Sequence, residues 1–443
     1  MSISNTIRTL FDIQDENINF NEDCARAGTK NGHACTFLEG TLTYTPTQCD
    51  RCHAENEDYT IIKNGTKTST IVIPAGGMKK TYLELRKQRF YCKQCQKTFV
   101  AKTSLVNEGC FISKDTCLQA GIKTAEARSV KDIARDCAVS PTTVQREINK
   151  ASQELQTYNR TLPENLSFDE FKVAKGQMAF IYIDVASGDL LDILPQRDGR
   201  TIRNHFTTYF TYKQRKNVKT VTIDMNASYQ GVIKDLFPNA KIIIDRFHIV
   251  QLMTRAMNKT RVKIMQAFNT SNGEDKKKYR RLKRYWRLIL KPSENLSSTE
   301  YKHYTMFGQL PSKSVVDTML EYSDELKANH DFLQRFFKAF DDRNYDDLEE
   351  IVKGKLDDNI SSYMKTSIKT LKEHLPHIRN SFDYTYNNGR IEGINNKIKV
   401  LNRVAYGYRN FKNYKNRILL HFAYKPVEPQ KKKTQNKTHV SAA

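Results

Sequence analysis

Between Asn165 and Asp245 the apolar positions switch repeatedly between two periods. Leu166–Lys172, Gln177–Asp184 and Asp189–Gln196 alternate as strands do, with Ser187-Gly188-Asp189 as a turn between the last two. Thr201–Tyr212 spaces Ile202, His205, Phe206, Tyr209 and Phe210 as one face of a helix. Val218–Asp224 is strand-like again, Ala227–Phe237 helical and Lys241–Asp245 strand-like. The predicted order β-β-β-α-β-α-β is that of the RNase H-like fold, in which the first strand neighbours the strand after the first helix.

Beyond Asp245 the strand signal fades. Phe247–Asn380 is mostly helical in pattern, with loops near Ser271–Asp275, Pro292–Thr299 and Pro311–Ser314, and reads as an all-α insertion. An amphipathic helix then opens around Glu392, and Tyr406–Phe422 carries Phe411, Tyr414, Ile418 and Phe422 as a helical stripe. Pro426–Ala443 is rich in Lys, Gln and Thr without periodicity and reads as a disordered basic tail.

Upstream, Val130–Asn149 has the pattern of a helix-turn-helix. Ile133, Ala134 and Cys137 form the inner face of a short first helix, and Ala138-Val139-Ser140 makes the turn, with Ala138 where Gly is common. Pro141 suits the first turn of a second helix because its missing N–H costs nothing there. Val144 and Ile148 point that helix inward, leaving Thr142, Thr143, Gln145 and Arg146 outward for the major groove. A plain helical hairpin is the competing reading.

Composition narrows the classes. The 443 residues suffice for two to four domains, and the formal charge of +23 calls for a polyanionic partner. No apolar run reaches the length of a membrane-spanning helix, and Met1–Glu16 lacks the features of a signal peptide. A cytoplasmic nucleic-acid-binding protein is therefore expected, with its nine cysteines as thiols or metal ligands. Cys49-x-x-Cys52 and Cys92-x-x-Cys95 are two paired knuckles, enough for one closed, structural Zn²⁺ site. Thr81–Tyr91 reads as a strand feeding the second knuckle, which makes a zinc ribbon. A redox dithiol needs only one such pair beside a βαβ unit. Cys24, Cys35, Cys110, Cys117 and Cys137 have no matching partner, and His33 and His53 are spare donors that four cysteines make unnecessary.

Three acidic residues carry the candidate chemistry. Asp169 lies in SFDEF, Asp224 ends the strand run in VTIDMNASY, and Glu392 opens the helix in NNGRIEGINN. Two strand-borne aspartates and a helix-borne glutamate are what a nuclease of the RNase H-like class uses to hold two Mg²⁺ ions, or Mn²⁺, at a phosphodiester. Against this, 49 acidic residues guarantee some Asp at strand ends and some Glu in first helical turns. Lys276–Lys291 interleaves Lys276, Lys277, Lys278, Arg280 and Arg281 with Tyr279, Tyr285 and Trp286. Two readings fit it: basic groups on phosphate with rings on bases, or an amphipathic helix packing its rings inward.

SFDEF, Val221–Gln251 and Tyr386–Leu420, together with the upstream zinc ribbon and helix-turn-helix, resemble ISL3-family insertion-sequence transposases from about Cys49 to Leu420. The patterns above and this resemblance together give a multidomain α+β and α/β chain: extension (1–40), zinc ribbon (41–105), helix-turn-helix (106–160), RNase H-like core (161–246), helical insertion (247–380), remaining core helices (381–425) and tail (426–443). The rest follows from the resemblance. It implies Asp169, Asp224 and Glu392 as the DDE catalytic residues, whereas Asp184 and Asp192, also on strands, match no motif. Asp245-x-x-His248 resembles the D/C-x-x-H signature of transposases with a helical insertion and implies a structural or active-site supporting role rather than metal ligation. The implied activity is Mg²⁺-dependent cleavage at terminal inverted repeats and strand transfer into target DNA, by at least a homodimer and without a membrane. The rival class is a non-catalytic DNA-binding regulator derived from a transposase. A zinc-containing structural adaptor would leave the strand order unexplained.

Overall fold

The computed structural model describes residues 3–158, 161–174, 176–225 and 227–423. They form two compact units, one of residues 3–158 with 396–423 and the other of residues 161–395. The basic tail expected over Pro426–Ala443 lies outside the described residues.

In the first unit a short helix α1 (Ile3–Leu10) precedes β1 (Ile18–Lys30), β2 (His33–Leu42), β3 (Ile61–Ile73), β4 (Lys80–Cys92) and β5 (Thr98–Val100). One sheet orders them β1-β2-β4-β3, with β5 also paired to β4. Ile18, Leu38, Leu42, Ile71, Leu83, Leu85 and Phe90 alternate along these strands and fill one core. Residue 40, where the extension was expected to meet the zinc ribbon, lies within this sheet. It falls inside β2, which pairs in parallel with β4 from Cys35↔Lys80 to Leu42↔Lys87.

Three helices follow: α2 (Lys114–Ile122), α3 (Val130–Asp136) and α4 (Pro141–Tyr158). Ser129 caps α3 through Asp132 N, and Ser140 caps α4 by accepting from Thr143 N at 3.1 Å. Ala138 takes φ +56° in the turn between them, the left-handed conformation that favours Gly at this place.

The second unit begins with β6 (Asn165–Ala174), β7 (Gln177–Asp184), β8 (Leu190–Leu194), α5 (Gly199–Tyr209), α6 (Tyr212–Lys216), β9 (Thr220–Ile223), α7 (Ala227–Leu236) and β10 (Lys241–Ile244). The sheet order is β10-β9-β6-β7-β8. The pairs β10/β9 and β6/β9 are parallel, while β6/β7 and β7/β8 are antiparallel. Phe168, Phe180 and Tyr182 on one face pack with Ile202 and Phe206 of α5 and with Ile233 of α7. By strand alternation Ser167 and Asp169 face the other way.

Next come α8 (Arg246–Ala267), α9 (Gly273–Arg284), α10 (Trp286–Ile289), β11 (Tyr301–Tyr304), β12 (Gly308–Pro311), α11 (Ser312–Leu320), α12 (Asp324–Asp341), α13 (Tyr345–Lys353) and α14 (Ser362–Asp383). A core rich in Met and Phe, including Met253, Met257, Met319, Phe336 and Phe340, joins them. The all-α expectation for residues 247–380 needs a correction, because β11 and β12 pair as an antiparallel hairpin between the stretches Pro292–Thr299 and Pro311–Ser314 that were read as loops. Four-residue strands are too short to register as alternation. α14 also shields the edge of β10: Asn380 Nδ2 donates to Ile242 O at 2.7 Å and Ser381 Oγ to Ile244 O at 2.6 Å.

The chain ends in α15 (Gly389–Val404) and α16 (Phe411–Ala423). Of the expected core segment 381–425, the residues from Asn396 onward group with the first unit. Leu420 sits in the same core as Ile133, Val144 and Ile148. Asn416 accepts from Ser152 Oγ at 2.9 Å and donates to Asn149 Oδ1 at 3.0 Å. The buried Arg417 guanidinium donates to the carbonyls of Glu126 and Arg128 at 2.7 and 3.1 Å. A helix far downstream in the chain thus completes the helix-turn-helix core. Leu420→Ala should cost about 2–5 kcal/mol through the cavity left behind. Hydrogen exchange of the α3 and α4 amides in the full-length chain should accelerate accordingly; unchanged protection would show that α16 does not support these helices.

Candidate active site

The strand pairing sets the first two acids together. β6 and β9 run parallel with Ser167 opposite Thr222, and that register carried two residues further puts Asp169 opposite Asp224. The third acid comes from the first turn of α15, and the same helix holds both aspartates. Asn388 Nδ2 donates to Asp224 Oδ1 at 3.0 Å while its own Oδ1 accepts from Ser167 Oγ at 2.7 Å. Asn395 Nδ2 donates to Asp169 Oδ2 at 2.7 Å. Asn388 is fully buried and Asn395 nearly so. They lie four residues before and three after Glu392, Asn388 immediately ahead of α15 and Asn395 within it, a spacing that sets all three on one side. Both asparagines escaped the sequence reading. Their signal was the i, i+4, i+7 spacing within NNGRIEGINN, easily taken for polar surface.

Asp245 and His248 join this cluster. His248 Nε2 lies 2.9 Å from Asp224 Oδ1, 3.9 Å from Asp245 Oδ2 and 3.9 Å from Glu392 Oε1. Hydrogen bonding to Asp224 raises the His248 pKa against the opposing effect of burial, and the charges of Asp224, Asp245 and Glu392 add to the rise. Burial pushes the Asp169 carboxyl up to about 7; the Glu170 N–H pulls it down, while the negative charge of Asp224 adds to the rise. Burial likewise raises Asp245, against the backbone N–H of Asn388.

The neighbouring acids are occupied elsewhere. Glu170 accepts from Tyr229 Oη at 3.0 Å and pairs with Arg197. Asp184 accepts from Ala186 N at 2.8 Å in its turn. Asp192 lies 3.9 Å from His205 Nε2 on the aromatic face of the sheet. The donor set suits a hard divalent cation: several carboxylates, with Asp169 desolvated enough to protonate near neutrality, and Asn395 Oδ1 buried without a hydrogen-bond partner.

The zinc knuckles also converge. Cys49, Cys52, Cys92 and Cys95 form one cluster, with Sγ···Sγ distances of 3.8 Å for Cys49–Cys95 and 3.8 Å for Cys52–Cys92. A tetrahedron with Zn–S bonds of about 2.3 Å has edges of about 3.8 Å. His53 and Gln96, each following the second cysteine of a knuckle, take φ +58° and +57° to close the turns. Burial pushes the Cys49 thiol up, but the backbone N–H groups of Cys52 and Arg51 outweigh it and leave the group lowered to about 7.

The expected DNA-contacting side chains divide. Thr142 and Arg146 are exposed and Gln145 is half-buried, but Thr143 is buried against Ser140 Oγ, so its outward assignment is corrected. Thr143 occupies the first turn, where its hydroxyl completes the cap. On α9, Lys276, Lys277 and Arg280 are exposed. Arg281, by contrast, donates to Tyr322 Oη at 2.9 Å and Met306 O at 2.5 Å and lies over the Phe307 ring, and Lys278 lies over Phe268 and Tyr322. Tyr279, Tyr285 and the half-buried Trp286 do not project as a stacking platform: the two tyrosines pack against the insertion core, and Arg287 covers Trp286.

A profile of ISL3-type DDE transposases, described as "Transposase", matches residues 166–418, and a second, "zinc-finger of transposase IS204/IS1001/IS1096/IS1165", matches residues 45–95. The chain belongs to the ISL3 transposase family. It is 27% identical over 336 residues to the transposase for insertion sequence element IS1001 of Bordetella parapertussis, covering 75% of this chain and 79% of that protein. It is also 35% identical over 113 residues to a Lactococcus lactis subsp. lactis protein named ATP-dependent protease, covering 26% of this chain and 36% of that one. The transposase has no GxxxxGK[ST] phosphate loop of its own, its single Gly-Lys step, Gly354-Lys355, being followed by Leu356. No helix among the described residues is long and apolar enough to cross a membrane.

Because structural zinc supplies folding free energy, Cys92→Ser should lower bound zinc and unfold the sheet of the first unit. Zinc content by atomic absorption checks this: one full equivalent retained after all four cysteines are replaced would refute the site.

Proposed function

We propose that this transposase binds the terminal inverted repeats of its insertion sequence, cuts a phosphodiester at each end and joins the freed 3′-hydroxyl to target DNA. The observation that carries the reading is the meeting of Asp169, Asp224 and Glu392, from two adjacent strands and a distant helix, at one end of a sheet whose strand order fits the RNase H-like fold. Asp169, Asp224 and Glu392 would hold the divalent cations, Mg²⁺ or Mn²⁺. Bound there, the ions supply positive charge for the attacking and leaving oxygens of the phosphodiester.

The chain's own groups prepare that site. Asn388 and Asn395 fix one carboxylate each, leaving the second oxygen of Asp224 and the whole of Glu392 for other partners. Asp169 and Asp245 are kept out of bulk water, and their attraction for a cation is stronger there than in water. In the first step a water oxygen attacks phosphorus and the 3′-oxygen leaves; in the second that 3′-hydroxyl attacks a target phosphodiester and displaces its 3′-oxygen. No covalent protein–DNA bond is required. Holding two ends at once calls for at least a homodimer.

End recognition is assigned to Thr142, Gln145 and Arg146 on α4, and sequence-independent grip to Lys276, Lys277 and Arg280 on α9. Ala at Gln145 or Arg146 should erode discrimination between terminal-repeat and random DNA, by about 1–3 kcal/mol for each bidentate pairing with a base that it removes. Neutralising Lys276 and Lys277 together should instead weaken both DNAs alike and reduce the salt dependence. Filter binding across a salt series reads both, and identical behaviour of the two sets would end this division of labour.

The regulator alternative is separated by chemistry. Asp224→Asn keeps the side-chain shape, and its Oδ1 can still accept from Asn388, but it removes the charge a hard cation needs. Nicking of end-bearing DNA with Mg²⁺ or Mn²⁺ should fall by orders of magnitude, while binding measured without metal holds. Asp184→Asn, in a turn away from the cluster, should retain most activity. A wild-type protein that binds ends yet never nicks them would favour the regulator.

A further inference from the structure

Asp245 links the end of β10 at Ile244 to the start of α8 at Arg246, so the first turn of α8 sets His248 beside it. The result is three carboxylates around one ring nitrogen. The 2.9 Å contact of Nε2 with Asp224 satisfies one acceptor, yet Asp245 and Glu392 also approach that nitrogen at 3.9 Å. The Asp245 carboxyl is almost wholly buried and cannot turn to water instead. The donor atoms of Asp224, Asp245 and His248 all lie within 4.8 Å of one another.

In an octahedron with bonds of about 2.1 Å, neighbouring donors are about 3.0 Å apart and opposite ones about 4.2 Å. The His248 distances fall in or near that range, with the nitrogen adjacent to Asp224. A nitrogen donor also changes which ion is preferred. Mg²⁺ takes oxygen ligands and sheds water reluctantly, whereas imidazole suits the first-row transition ions.

We propose that His248 is a direct metal ligand of the active site, joining Asp224 and Asp245 in a mixed nitrogen–oxygen set that prefers a first-row transition dication such as Mn²⁺ to Mg²⁺. Asp245-x-x-His248 then defines one metal position, and Asp169, on the far side of Asp224, belongs to the other. The assignment rests on the metal-dependent reading of this site, and it adds a ligand that the three acids alone do not supply.

The test uses the zinc-loaded full-length protein, so that the cysteine site is filled, with Mn²⁺ as the probe. Pulsed electron paramagnetic resonance of the bound Mn²⁺ should show coupling to an imidazole nitrogen. That coupling should change to the ¹⁵N frequency when the histidines are ¹⁵N-labelled and vanish in His248→Gln. Mn²⁺ affinity should fall by more than about tenfold in His248→Gln, the least that losing even a ligand's supporting partner costs. Mg²⁺ affinity, measured by competition, should fall much less. Should His248→Gln fail to fold, by circular dichroism and zinc content, the labelled wild-type spectrum decides alone. Bound Mn²⁺ without histidine coupling, lost in Asp224→Asn, would overturn the His248 ligand and leave the carboxylate site standing. Mn²⁺ binding that survives Asp224→Asn, or none in the wild type, would overturn both.

Discussion

Carboxylates gathered at one end of a sheet repel each other and lose hydration, so whatever holds them there governs everything else in this protein. Desolvation acts on Asp169 and Asp245, and the charge of Asp224 adds to it. Against this stand three neutral or cationic contacts: Asn395 on Asp169, Asn388 on Asp224, and the imidazole of His248 among Asp224, Asp245 and Glu392. Two of the three come from α15, which also carries Glu392, and the residue just before it. The two amides keep the acids at fixed positions without cancelling their charge.

The same logic of compensating buried polar groups recurs in the first unit. Four thiols, paired with their sulfurs 3.8 Å apart, are an unfavourable arrangement without a metal and a stable one with it. Their spacing is set by the end of β4 and by two turns closed by left-handed residues, so sheet and knuckles depend on each other. The helix-turn-helix likewise leans on α16, through Leu420 in its core and Asn416 bridging Asn149 and Ser152. The buried Arg417 ties the loop at Glu126–Arg128 to α16 through two backbone carbonyls, at the cost of desolvating its guanidinium.

On the basic α9 the ambiguity between phosphate grip and internal packing resolves residue by residue. A helix has more than one face, and Arg281, Lys278 and Tyr285 turn toward the hairpin and the insertion core while Lys276 and Arg280 remain outside. Composition cannot make that distinction, because the charge of a guanidinium is the same whether it meets DNA or a backbone carbonyl.

Local patterns were enough to read the strands from β6 to β10, the helices between them, the paired helices at Val130–Asn149 and the two CxxC knuckles, because each depends on side-chain periodicity or on spacing within a few residues. Asp169, Asp224 and Glu392 stood out by their local contexts in the same way, and the fold brings these residues to one end of the sheet. What the sequence alone left undetermined involves partners far apart in the chain. β1 and β2 join the ribbon sheet, α16 completes the helix-turn-helix, and Thr143 turns inward to its cap. The roles of Asn388, Asn395 and His248 belong to the same group, since an amide or an imidazole acquires meaning only from the acid it meets, and those acids lie up to 226 residues away. Periodicity reports which way a side chain faces; only the folded chain decides what stands opposite it.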